Sequence, residues 1–175
     1  MVAGIITAMS HEEHRAASPD AVGCHVITVS DTRTEETDTG GRLLRTLLAE
    51  AGHRVLGHEI VRDDPAALRA AIERQLEADA TQAVITTGGT GISRRDGSYE
   101  VIAGVIEKRL DGFGELFRAL SFEEIGPAAM MSRAVAGAAR GKVVIALPGS
   151  WAAVRLGMTR LVLPELGHMV REVSR

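Results

Sequence analysis

Hydrophobic positions along the chain alternate between two rhythms: short β-branched runs, and longer stretches with an apolar residue every three or four positions. The first run, His25-Val26-Ile27-Thr28-Val29, with Cys24 at its start, predicts a buried strand. Ser30-Asp31-Thr32-Arg33 forms the loop at its end. Polar residues continue to Asp38, and Gly40-Gly41 then leads into a helix with Leu43, Leu44, Leu47, Leu48 and Ala51 on one face. Gly52 stops it. Arg54 to Val61 predicts a second strand, and Asp64-Pro65 opens a helix whose core face carries Leu68, Ala71, Ile72 and Leu76. Ala83 to Thr87 predicts a third strand, which runs into the glycine-rich turn Gly88-Gly89-Thr90-Gly91. Ser98 caps the next helix, which buries Val101, Ile102, Val105 and Ile106 until Asp111-Gly112 breaks it.

From there the periodicity weakens. Phe113 to Arg118 and Ser121 to Met131 predict short helices joined by loops. Arg133 to Ala138 and Lys142 to Leu147 flank Ala139-Arg140-Gly141, which predicts a hairpin adding an antiparallel edge strand. Helices over Trp151 to Leu161 and Pro164 to Val173 close the chain. Strands alternating with amphipathic helices imply an α/β fold of three layers, α/β/α, with a mostly parallel sheet. Residues 21–175 are expected to form one such domain, preceded by a flexible or oligomer-docking arm over residues 1–20 that includes the apolar Val2 to Ile6.

Composition narrows the function classes. The chain has 175 residues, 45% of them hydrophobic and 25% charged, enough for a full core without metal or disulfide staples. Aromatic residues are only 3% and net charge is -3, so neither a stacking surface for single strands nor a broad basic face for a nucleic acid is expected. Cys24 is the single cysteine, which excludes an internal disulfide and suits a reducing cytoplasm. No apolar run is long enough to predict a membrane span.

The chemistry concentrates in Thr86-Thr87-Gly88-Gly89-Thr90-Gly91-Ile92-Ser93-Arg94-Arg95-Asp96. A glycine-rich turn between a strand and a helix brings backbone N–H groups together at the position where an α/β sheet takes anions. Threonine hydroxyls, two arginines and Asp96 add donors, charge and a carboxylate. In a parallel sheet the loops after successive strands share one edge, which gathers Ser30-Asp31, Asp63-Asp64, Gly88 to Asp96 and Pro148-Gly149-Ser150. Asp31, Asp63 and Asp96 can supply oxygen ligands to Mg²⁺. Asp64 is accounted for as a helix cap before Pro65, whereas Asp63 and Asp96 read equally as ligands or as loop charges. The loop lacks the lysine of a Walker A motif, the histidines lack zinc-protease spacing, and Ser150 lacks the Gly-x-Ser-x-Gly elbow, so it reads as a cap or a phosphate contact.

Taken in order, Val29-Ser30-Asp31, Asp38-Thr39-Gly40-Gly41, Thr87-Gly88-Gly89-Thr90-Gly91 with Arg95-Asp96, Gly112-Phe113-Gly114-Glu115, Ser121, Ser132-Arg133 and Leu147-Pro148-Gly149-Ser150 resemble the MoaB/MogA family of molybdenum-cofactor biosynthesis proteins. The resemblance runs from about Cys24 to the C-terminus. It implies a domain that binds molybdopterin and ATP and, with Mg²⁺, transfers AMP to the terminal phosphate of molybdopterin, releasing pyrophosphate. A non-catalytic molybdopterin-binding scaffold of the same fold is the alternative. By motif, Asp63 and Asp96 would be the catalytic and metal-holding carboxylates. Gly88, Gly89, Thr90 and Gly91 would hold pterin or nucleotide phosphate, while Ser30, Asp31, Pro148, Gly149 and Ser150 would line the pocket and Glu115 and Ser121 would add contacts. The resemblance further implies a homo-trimer or homo-hexamer and hand-over of the product to a molybdate-inserting protein. After Asp96 the family continues with a small or β-branched residue and Thr, where this chain has Gly97-Ser98-Tyr99-Glu100.

Overall fold

Six strands form one sheet in the order β2-β1-β3-β6-β5-β4. The computed structural model describes residues 18–94 and 96–175. Strands β1 (Gly23–Val29), β2 (Arg54–Val61), β3 (Ala83–Thr87) and β6 (Lys142–Leu147) run parallel, while β5 (Val135–Ala139) and β4 (Lys108–Arg109) complete the sheet in antiparallel pairings. The helices are α1 (Thr39–Glu50), α2 (Pro65–Glu77), α3 (Ser98–Val105), α4 (Asp111–Ile125), α5 (Trp151–Gly157) and α6 (Leu163–Val173). Successive side chains on a strand face opposite sides, so the sheet feeds two cores. On one face Val26, Ile85, Val143 and Ile145 pack under Leu44 and Leu48 of α1, Phe113 and Phe117 of α4, Val154 of α5 and Leu166 of α6. On the other, Ile27, Val29, Val84 and Val144 meet Leu68 and Ile72 of α2 and Val101 and Ile102 of α3. The three-layer, mostly parallel fold expected from the sequence is the fold observed.

Three local features differ from expectation. Asp111-Gly112 does not merely end a helix, because both residues lie in the first turn of α4, which runs unbroken to Ile125. Gly114 serves packing, whereas Gly112 faces open space: a β-carbon on Gly114 would stand 2.9 Å from the carbonyl oxygen of Ala134, and the Phe113 and Phe117 rings stack one turn apart at 6.4 Å. Burial of that aromatic face outweighs the propensity cost of two glycines, about 1 kcal/mol each. The outermost strand is the short β4, so the hairpin strand β5 lies one place inside the edge. Finally, α5 and α6 are not separate rods. They join through a wider turn, Met158–Val162, in which Leu163 N–H donates to Met158 O five residues back. Pro164 has no N–H to offer the carbonyl one turn behind and its ring would crowd it, and a widened turn relieves both demands.

The helices leave β1 and β3 on opposite faces, α1 toward one core and α3 toward the other. This opens the crevice between neighbouring parallel strands where an α/β sheet places ligands. The expected arm over residues 1–20 falls outside the described residues except for its last three; of these, Pro19 packs its carbonyl against Gly167 of α6.

His53, just ahead of β2, is tied in its neutral form to the residue that precedes β1. Val22 N–H donates to His53 Nδ1 at 3.2 Å, an acceptor role open only to an uncharged ring nitrogen, and burial lowers the His53 pKa from 6.5. Burial is also the main cause lowering the His25 pKa, with Glu59 opposing it. The unfolded chain therefore binds more protons than the folded one below about pH 6.5, and stability is retained above that pH and lost as pH falls. The urea midpoint is expected to be lower at pH 5.5 than at 7.5, and the His53→Gln variant to show a shallower pH dependence; equal slopes would contradict this account.

Candidate active site

The site is set by how closely three strand ends approach one another. Gly88 follows β3 with φ +100°, and a β-carbon there would collide with the carbonyl oxygen of Val29 at the end of β1. On its other side, a β-carbon on Gly149 would stand 3.1 Å from Gly88 Cα. Gly88 N–H donates to Leu147 O at 3.1 Å and Thr87 Oγ1 donates to Pro148 O at 3.2 Å, fastening the loop after β3 to the loop after β6.

Two clefts open on this junction. One, of about 330 Å³, is lined by Gly88, Gly89, Thr90, Gly91, Ser121, Pro148, Gly149 and Ser150, with Phe117, Ile125, Ala128, Met131, Ser132 and Ala153 completing the wall. Ser150 also caps α5, accepting from Ala153 N–H at 3.2 Å. The second, of about 280 Å³, shares Gly88, Gly149 and Ser150 and adds Thr28, Arg33, Asp38 and Thr87. Together they form a trough with apolar walls at one end and ionic groups at the other.

Asp63 and Asp96 lie against the same glycine loop without lining either cleft. Asp63 Oδ1 is 3.1 Å from the point where a β-carbon on Gly89 would stand, and Asp96 Oδ2 abuts the corresponding point on Gly91. Asp96 Oδ2 accepts from Ser93 N–H at 2.8 Å and from Ser93 Oγ at 2.6 Å. Ser30 and Asp31 join the loops after β1 and β2: Ser30 Oγ accepts from the N–H groups of Thr32 and Arg33, and Asp31 Oδ1 accepts from Asp63 N–H at 3.2 Å. Glu115 stands apart, in a polar groove with Tyr99, Arg109 and Arg118 on the flank of α4. Arg94 is exposed on the loop, and Arg95 lies outside the described residues.

A family profile described as a probable molybdopterin binding domain matches residues 25–168. The chain belongs to the MoaB/MogA family of molybdenum-cofactor biosynthesis proteins. It is 49% identical over 168 residues to molybdenum cofactor biosynthesis protein B of Bacillus subtilis, covering 95% of this chain and 99% of that protein. A crystal structure of a molybdenum cofactor biosynthesis protein B, 48% identical, superposes with a TM-score of 0.86 over 89% of this chain and 98% of that one. The tungsten cofactor synthesizing protein MoaB of Pyrococcus furiosus, 37% identical, gives 0.77 over 90% and 100%.

Several residues of this MoaB/MogA family trough had no assigned role in the sequence reading. Asp38 is fully buried at the floor of the smaller cleft. Its Oδ1 caps α1 by accepting from Gly41 N–H at 2.9 Å, and its Oδ2 accepts from Thr28 Oγ1 at 2.6 Å and lies 3.2 Å from His58 Nε2. An Asp two residues ahead of a helical glycine pair was a readable cap signal, but its burial depends on β2 bringing His58 across. Ser98, expected as a cap, instead begins α3 after Gly97. The Ser98 and Ser132 hydroxyls are buried without a hydrogen-bond partner among the described residues, and Ser132 lines the larger cleft. A buried hydroxyl left unpaired costs about 1–3 kcal/mol, and Ser132 carries such a hydroxyl at the cleft wall. The loop itself is clasped by Arg133, which donates from Nε to Thr90 O at 2.9 Å.

The junction makes one substitution decisive. Gly88→Ala combines a left-handed φ with overlap on the Val29 carbonyl, and it is expected to cost at least about 2 kcal/mol. A lowered urea midpoint checks this, and an unchanged midpoint would contradict the close approach described.

Proposed function

We propose that this protein binds molybdopterin and ATP and transfers AMP to the terminal phosphate of molybdopterin, yielding adenylylated molybdopterin and pyrophosphate in a Mg²⁺-dependent reaction. The observation that carries the reading is the convergence on one glycine loop of main-chain donors, an adjoining cleft and two carboxylates. Family membership and the names of its relatives support a role in molybdenum-cofactor synthesis. The activity suits a cytoplasmic protein; among the described residues no helix is long and apolar enough to cross a membrane.

The residues present suit Mg²⁺. Asp63 and Asp96 reach neighbouring positions of the loop, and no cluster of three or more acidic, histidine or cysteine ligands occurs among the described residues. Mg²⁺ commonly takes one or two carboxylates and completes its shell with water and substrate phosphate, and when bound it would neutralise charge on the phosphate oxygens. A bound molybdopterin would place its phosphate over the Gly88 to Gly91 turn, with the Ser121, Ser132 and Ser150 hydroxyls supplying further hydrogen bonds. The apolar side formed by Phe117, Ile125 and Met131 suits a flat ring system, and the ionic cleft with Arg33 and Asp38 suits a nucleotide. An oxygen of the molybdopterin phosphate attacks the α-phosphorus of ATP, the bond from that phosphorus to the bridging oxygen breaks, and pyrophosphate leaves. Nucleotidyl transfer of this kind depends on positioning and charge neutralisation, so no protein nucleophile is needed. Ser30 and Asp31 hold the loop carrying Asp63, and Glu115 would serve a more distant part of the substrate. We further propose a homo-trimer or homo-hexamer that passes its product to a molybdate-inserting protein.

Pyrophosphate release from ATP, Mg²⁺ and molybdopterin tests the activity. Asp96→Asn is expected to retain the fold and molybdopterin binding while losing 100-fold or more in turnover, and chelation of divalent cations is expected to stop the wild-type reaction. Binding without pyrophosphate release by the wild type would favour the scaffold alternative, and release of phosphate or AMP without pterin would point to a nucleotide hydrolase.

A further inference from the structure

We propose that Arg133 is a positioning residue for the transfer reaction, one that aims the amides of the glycine loop at the substrate anion rather than touching that anion itself. The proposal rests on the reading of this trough as a molybdopterin site. Arg133 immediately precedes the segment leading into β5, yet its guanidinium reaches across to the loop after β3. Nε donates to Thr90 O at 2.9 Å, while Nη2 donates to Gly91 O and, at 3.4 Å, to Asp96 O. One rigid fork thus collects three carbonyl oxygens from the two ends of the segment between Thr90 and Asp96.

A trans peptide is planar, with its N–H opposed to its C=O. When the carbonyls of Thr90, Gly91 and Asp96 turn toward Arg133, the N–H groups of Gly91, Ile92 and Gly97 must turn away from it. None of these three amides has a protein acceptor among the described residues. Successive outward amides, as at Gly91 and Ile92, form a concavity for an anion. Gly91 lines the larger cleft, so its end of the amide set adjoins the proposed phosphate position.

The surroundings of the guanidinium argue against a direct phosphate contact. Nη1 and Nη2 pair with the Glu100 carboxylate, and this hydrogen bond is the main cause holding the Glu100 pKa below its usual value. The Tyr99 ring lies beneath the guanidinium, 4.9 Å from its centre, and the Tyr99 hydroxyl accepts from Arg109 at 3.4 Å. The charge of Arg133 is already matched and its donors are spent on carbonyls. Tyr99 serves as the platform on which the fork rests.

Arg133→Lys separates the two roles, since lysine keeps the charge but has a single ammonium group that cannot span three carbonyls in a fixed plane. Molybdopterin affinity should fall tenfold or more in Arg133→Lys and by a similar factor in Arg133→Ala, with kcat for pyrophosphate release falling further than KM rises. An Arg133→Lys protein that binds within twofold of wild type would overturn the proposal. Should Arg133→Ala fail to fold by near-ultraviolet circular dichroism, Arg133→Lys, with its aliphatic stem and charge intact, decides the matter alone. Wild-type protein that binds molybdopterin yet releases no pyrophosphate would end the adenylylation reading and leave the Arg133 proposal to be judged on affinity. Wild-type protein that fails to bind molybdopterin would overturn both.

Discussion

The structure depends on the contact at which Gly88 passes between the end of β1 and the loop after β6, so close that no side chain fits. Three parallel strands bring their C-terminal ends together there, and Gly88 and Gly149 allow the backbones to meet. Backbone packed this tightly has its amides fixed by the sheet rather than by flexible side chains, which is the condition for a preorganised anion site. The two cores beneath are what hold the strand ends in place. Val26 and Ile85 on one face and Ile27 and Val84 on the other are completely buried.

Polar groups under the site serve the same rigidity. A buried carboxylate is costly unless its oxygens are satisfied. Asp38 meets that demand with the first turn of α1, the Thr28 hydroxyl and His58, and His58 in turn reaches Glu35 at 3.1 Å through its other ring nitrogen. The start of α1, the C-terminal end of β1 and the middle of β2 are thereby locked into one arrangement. Arg133 does comparable work on the opposite side of the trough, joining β5 to the loop that carries Asp96. The glycine loop is thus held at its start by backbone contact and at its far end by one guanidinium.

Much of this was legible in the residues. The β-branched runs gave the four parallel strands, Asp64-Pro65 marked α2, and the glycine turn after β3 marked the centre of the trough. Where reading failed, a tertiary contact had overridden a local signal. Asp111-Gly112 looked like a breaker, yet both residues belong to the first turn of α4, which buries Phe113 and Phe117. Pro164 looked like a boundary, but a widened turn carries the helix past it. Ser98 looked like a cap and proved to be the first buried residue of α3. Arg133 was unreadable as a clasp, because its partners lie about forty positions earlier and only the β5-β6 pairing brings them within reach.

The most direct test of the account is a crystal structure of the protein soaked with AMP and molybdopterin. The account predicts a phosphate group within hydrogen-bond distance of the Gly89 to Gly91 amides, with the pterin ring against Phe117 and Met131. A phosphate held instead between Arg109 and Arg118 on the flank of α4, with the glycine loop untouched, would contradict it.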